Sequence, residues 1–133
     1  MKLPEEILFL TVEDVVFLHA RGIDLYGGAH GTRDLGLVES AALAAQQTFG
    51  GQFLCTTLEE IAATYWYNLA NNHGFIDGNK RVALRAADVF LARNGFDLEL
   101  QPDKAAEVTE GVASGKISKG ELIEIVRRSI RPL

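Results

Sequence analysis

One cysteine, three prolines and no basic excess mark this 133-residue chain by what it lacks. With Cys55 alone, no intrachain disulfide and no cysteine zinc cluster can form. Cys55 follows Phe53 and Leu54, an apolar setting that suits a small buried hydrophobe better than a nucleophile. Eighteen acidic against thirteen basic residues give a net charge of −5. A chain built to grip nucleic-acid backbone shows the opposite balance, so no direct nucleic-acid partner is expected. No apolar run approaches the roughly 20 residues that span a bilayer, so no membrane partner is expected either. The start, Met1-Lys2-Leu3-Pro4-Glu5-Glu6, is acidic and broken by proline, unlike a signal peptide. These absences predict a cytoplasmic protein. What is present is 47% hydrophobic and 23% charged residues, enough for one folded domain over residues 1–133.

Helix signals recur along the chain. Thr11 with Asp14 reads as a capping box, and Val12, Val15, Val16, His19 and Ile23 continue at helical spacing until Gly27-Gly28. Asp34 is an N-cap for a second helix to about Gln47, and Gly50-Gly51 breaks the pattern. Thr57 with Glu60 reads as another capping box, opening a helix whose stripe is Leu58, Ile61, Ala62, Tyr65 and Leu69. Its next step of four is His73, and Gly74 reads as the stop. A helix over about residues 79–94 follows, closed by Gly95. Pro102 and Asp103 open a helix to about Ala113. Ser118 with Glu121 caps a last one holding Leu122, Ile125, Val126 and Ile130. Residues 96–100 alternate with period two and pair, as a strand, with residues 7–10. The expected fold class is all-α: about six helices and at most one short strand pair.

The stretch that carries chemistry is His73-Gly74-Phe75-Ile76-Asp77-Gly78-Asn79-Lys80-Arg81, between two helices. The second helix begins with free backbone N–H groups and a positive dipole end, an anion site. Gly78 permits positive φ or close approach of a ligand. Lys80 and Arg81 in the first turn oppose the dipole unless a negative ligand compensates, which suits a phosphate cradle. Asp77 beside phosphates is the type of group that holds Mg²⁺. His73 is a candidate general base for a hydroxyl. A helix C-terminus favours the imidazolium, so that role requires burial or neighbouring cations. Taken singly, each residue has a plainer reading: His73 as a core residue on an apolar stripe, Asp77 as a turn residue, Lys80 and Arg81 as a solvated face.

The pattern His73-x-Phe75-x-Asp77-Gly78-Asn79-Lys80-Arg81 resembles the signature of the Fic/Doc superfamily, on its Doc toxin branch. Tyr26-Gly27-Gly28, the run from Gly31 to Ala41 and Phe90-Leu91-Ala92-Arg93-Asn94-Gly95 are similar to that branch as well. The resemblance implies a six-helix fold and a toxin of a type II toxin–antitoxin system. It implies transfer of a group from ATP to a threonine or serine hydroxyl of a translation factor, elongation factor Tu by analogy. By position, His73 would be the base, Phe75 a core anchor, and Asp77 the Mg²⁺ holder. Gly78 and Asn79 would cradle phosphate, with Lys80 beside them, and Arg81 would neutralise charge on the transferring group. AMP-transferring members have Gly at the place of Lys80 and a second Arg at the place of Leu84. Lys80 is shared with the Doc branch, which implies γ-phosphate rather than AMP transfer. Arg85, one place off, is expected to pair with Asp88. Gly74, where many members have Pro, is expected to loosen the approach to the loop slightly. The glycine-rich residues 27–33 are a candidate docking segment for the target.

Members that restrain themselves carry Ser/Thr-x-x-x-Glu followed by Gly or Asn. Here the one such pair, Glu110-Gly111, has Ala106 in the Ser/Thr place. The resemblance therefore implies restraint by a Phd-type antitoxin whose C-terminal segment folds on binding. Two other readings stand beside the kinase: an AMP transferase, and a non-catalytic nucleotide-binding partner in a regulatory complex.

Overall fold

A computed structural model describes residues 6–133. The expectation about a leader concerns mainly residues 1–5, which lie outside the described residues. Six helices form among those described: α1 (Val12–Tyr26), α2 (Leu35–Ala44), α3 (Leu58–Asn72), α4 (Asn79–Arg93), α5 (Pro102–Ala113) and α6 (Lys119–Ser129). None is long and apolar enough to cross a membrane.

Local chemistry explains most helix starts. Thr11 accepts from the Asp14 amide while Asp14 accepts from the Thr11 amide, and Ser118 and Glu121 repeat the reciprocal pair. At Thr57 only half of the expected box forms. Thr57 Oγ1 accepts from the Glu60 amide, but the Glu60 carboxylate takes the Thr56 hydroxyl at 2.9 Å instead. Pro102 sits in the first turn of α5, where its missing N–H costs nothing.

Helix α3 is the axis of the core. It buries residues all round, from Leu58 through Trp66 to Ala70, and α2, α4, α5 and α6 pack against it. Fully buried Trp66 donates from Nε1 to Thr109 Oγ1 on α5 at 3.0 Å. Cys55 is buried, with Sγ 3.5 Å from Thr64 Oγ1, as the plain reading expected.

The strands correct the sequence reading. There are two antiparallel pairs among the described residues, not one: β1 (Thr48–Phe49) with β2 (Gln52–Phe53), and β3 (Phe96–Leu98) with β4 (Ile130–Pro132). The first is a hairpin turned at Gly50-Gly51, both at positive φ (59° and 81°), as a type I′ turn requires. In the second, the partner of residues 96–98 is the C-terminal segment and not residues 7–10. Ile130 therefore leaves α6, with ψ at 145°. Arg131 precedes Pro132, and the proline ring pushes the residue before it out of helical space. Helix α2 also ends three residues early, with tightened bonds from Gln46 to Leu43 and from Gln47 to Ala44.

Residues 7–10 form no strand, and side chains instead satisfy the backbone of Leu8 and Leu10. Asn94 Oδ1 accepts from the Leu8 amide and its Nδ2 donates to the Leu8 carbonyl. The Tyr65 hydroxyl accepts from the Leu10 amide at 3.0 Å and donates to its carbonyl at 3.4 Å. Burial pushes the Tyr65 phenol up to about 12. Tyr65→Phe removes both bonds and strands a buried amide and carbonyl. It should cost about 1–3 kcal/mol in urea unfolding, with the m-value unchanged.

Candidate active site

Helix α3 ends at His73, the only non-glycine residue at positive φ among those described (φ 52°, ψ 45°). The expectation placed the stop at Gly74. The left-handed turn falls one residue earlier, and this decides where the histidine goes. A side chain in continuing helix would follow Leu69 into the core. Reversal of the backbone at His73 takes it off that stripe, and the imidazole is exposed on the wall of a cleft. The core reading of His73 is thus overturned. Gly74 beneath it is buried and pressed against α2: a Cβ there would lie 2.6 Å from Val38 Cγ2 and 3.2 Å from the Val38 amide nitrogen. Its carbonyl accepts from the Arg33 and Asp34 amides at 2.8 and 2.9 Å. Gly74 therefore tightens the approach to the loop, against the expected loosening.

Phe75 is 2% exposed and anchors the loop, as the resemblance implied. Asn79 braces it: Oδ1 accepts from the Phe75 amide and Nδ2 donates to the Phe75 carbonyl, both at 3.0 Å. The Asn79 side chain is therefore turned to the loop, and its backbone N–H is what it offers an anion. Gly78 takes φ 77° as the N-cap of α4 and supplies no side-chain cap. The first-turn amides of α4 consequently meet the cleft without an internal acceptor of that kind.

Asp77 is exposed, and each carboxylate oxygen holds one backbone N–H: Oδ2 that of Ala29 at 3.0 Å, Oδ1 that of Gly78 at 2.8 Å. These bonds, Ala29's first, hold its carboxyl below the usual carboxylate range, so the free lone pairs belong to an anion. Gly28 makes this approach possible. It sits at φ 119°, and a Cβ would come within 2.7 Å of Asp77 Oδ2.

The two cations of the motif are less idle than the sequence suggests. Lys80 Nζ pairs with Glu110 Oε2 of α5 at 2.8 Å. Arg81 donates from Nη1 to the Gly27 carbonyl at 3.0 Å and the Gly22 carbonyl at 3.4 Å, at the C-terminus of α1. Its guanidinium carbon stands 5.4 Å from the centre of the Tyr26 ring. Arg85 pairs with Asp88 at 3.5 Å, as expected, and contributes nothing to the cleft wall.

All six predicted site residues, His73, Asp77, Gly78, Asn79, Lys80 and Arg81, line one cleft of about 520 Å³, together with Ile76, Glu110, Ala113 and Ser114. That is the size of a small-molecule site. Residues 27–33 run beside it as a flap. The Ile76 amide donates to the Gly31 carbonyl at 3.1 Å, and Thr32 bridges to Phe75. Arg33 Nε donates to the His73 carbonyl at 2.8 Å, tying this segment to the end of α3.

Three participants escaped the sequence reading. Glu110 appeared only as half of a Glu-Gly pair, and its reach to Lys80 needs α5 laid beside α4. Ala29 acts through its backbone, which no residue type signals. His19 read as one more member of the α1 stripe. It is buried, and its ring lies against Phe75 with centroids 3.8 Å apart.

Comparison with known proteins points the same way. The model of the Fic/DOC family matches residues 9–91. The chain is 36% identical over 119 residues to "Protein kinase doc" of Escherichia phage P1, covering 90% of this chain and 93% of the relative. It is 36% identical over 108 residues to "Toxin Doc" of Mycolicibacterium smegmatis, covering 80% and 81%. A helix–loop–helix that gathers these six residues in one cleft, and relatives matched over 93% and 81% of their length, agree that the chain belongs to the Fic/DOC family.

Proposed function

We propose that this chain is the toxin of a toxin–antitoxin system, a protein kinase that moves the γ-phosphate of ATP to a threonine or serine hydroxyl of a translation factor. The observation that carries the reading is the uncapped N-terminus of α4 opening into a cleft lined by His73, Asp77 and Arg81. Backbone N–H groups there suit a phosphate tail. His73 takes the proton of the attacking hydroxyl. Arg81, whose hydrogen bonds among the described residues leave from Nη1, keeps Nε and Nη2 for charge on the transferring group. The flap over residues 27–33 docks the target beside them.

The donor set fits Mg²⁺. Asp77 is ionised and exposed, and a single carboxylate with phosphate oxygens and water is how that ion is usually held. Bound there, Mg²⁺ would neutralise charge on the phosphates. The names of the two relatives, a protein kinase and a toxin, favour this reaction over a purely structural role. Restraint falls to a second chain, an antitoxin of the Phd type, and elongation factor Tu is the target suggested by the family.

Lys80 favours γ-phosphate over AMP transfer, because its side chain stands on the cleft wall where glycine would leave space. ATP labelled at the α or the γ position, incubated with Mg²⁺ and cell extract, separates the two. We expect label on protein from γ only. Label from α alone would make the chain an AMP transferase.

A further inference from the structure

The motif loop is held from outside as well as from within. His19 sits in the middle of α1 and is 5% exposed. Its ring lies flat on Phe75, with centroids 3.8 Å and planes 7° apart. Its Nε2 is 2.6 Å from the Asp77 carbonyl oxygen. A carbonyl can only accept, so Nε2 carries the hydrogen and donates it. Gly78 borders the same ring: a Cβ there would stand 3.5 Å from Nε2, at ordinary contact distance. One imidazole thus touches or borders three of the four residues between Phe75 and Gly78.

The packing of α1 does not ask for an imidazole. The other buried residues on its stripe, Val15 and Ile23, are aliphatic. An aliphatic side chain would bury the same wall without desolvating a polar ring. The buried N–H finds its acceptor on the backbone of the very residue whose carboxylate faces the cleft.

We infer that His19 is a positioning residue for the transfer. It fixes the Asp77 carbonyl and the Phe75 ring together. That sets the peptide plane from which the Asp77 carboxylate reaches the Ala29 and Gly78 amides, and so the direction of its free lone pairs. The inference rests on the reading of Asp77 as the Mg²⁺ holder.

Two variants divide the contacts. His19→Phe keeps a flat ring on Phe75 and removes the donor. His19→Gln keeps an N–H near the place of Nε2 and removes the ring. With both folded by circular dichroism, MgCl₂ is titrated in the presence of ATP and followed through the Gly78 amide resonance. Transfer is measured in parallel. His19→Phe should weaken the Mg²⁺ response and lower kcat by about 10–100-fold, with KM for ATP moved less than about threefold. His19→Gln should recover most of both. The idea is overturned if His19→Phe responds to Mg²⁺ as the parent does, or if His19→Gln is the more damaged of the two. Should either variant fail to fold, a ¹H–¹⁵N spectrum of the unaltered protein decides. A protonated, hydrogen-bonded Nε2 on His19 supports the inference, and a bare one sinks it. If the parent shows no transfer while Mg²⁺ and ATP still move the Gly78 resonance, and less so in His19→Phe, it is the kinase reading that fails, and what stands is His19 positioning Asp77 toward the ion.

Discussion

His73→Ala should slow transfer by roughly 10²–10⁴-fold, the worth of one well-placed general base, and should abolish growth arrest on expression. The argument starts from exposure. The imidazole lies on the cleft wall and not in the core, so its loss creates no cavity. Its backbone is the one place where the substitution can disturb the fold. His73 holds φ 52°, a left-handed conformation that asparagine tolerates better than alanine. His73→Asn is therefore the companion variant. It should match the parent in thermal stability and remain as inactive as the alanine form. Growth arrest that survives both changes would leave a non-catalytic binding module as the correct description.

Phe75→Ala should lower unfolding free energy by about 3–5 kcal/mol, as for other fully buried phenylalanines. For a chain of this length that corresponds to a fall in Tm on the order of 10–20 °C. Phe75 is 2% exposed, stacks on His19, exchanges two backbone bonds with Asn79 and bridges to Thr32 of the flap. Deleting its ring opens a void at the meeting point of α1, the flap and the motif loop. Differential scanning calorimetry gives the stability change. A transfer assay well below the lowered Tm should still show a large loss, because the loop that carries Asp77 has lost its anchor. A variant that melts within 2–3 °C of the parent, less than about 1 kcal/mol on this scale, would show that the loop does not depend on this packing.

What was legible in the sequence is what neighbouring residues settle among themselves. The boxes Thr11–Asp14 and Ser118–Glu121 form because donor and acceptor lie three residues apart, and the half-formed box at Thr57 differs only because the adjacent Thr56 hydroxyl takes the Glu60 carboxylate. The same holds for Pro102 opening α5 and for positive φ at Gly78. The hairpin at Gly50-Gly51 was legible in principle, since paired glycines between short β-formers are a turn signal, but two-residue strands are too short for periodicity to register. The end of α6 was legible too: Pro132 forbids helix at Arg131, while the spacing of Val126 and Ile130 argued for it.

The sequence by itself determined six helices, a turn between α3 and α4, and the residue types there that suit an anion. Only the tertiary structure decided which histidine is buried and which faces the cleft. Both His19 and His73 continue apolar helical stripes. They part because one left-handed residue turns His73 outward, while α1 lays His19 against Phe75 and the Asp77 carbonyl. It likewise decided that β4 and not residues 7–10 pairs with β3, and that Glu110 reaches Lys80. Such choices depend on contacts between segments tens of residues apart. Their energies come from burial and hydrogen bonds that exist only once the helices have packed, so no local pattern encodes them.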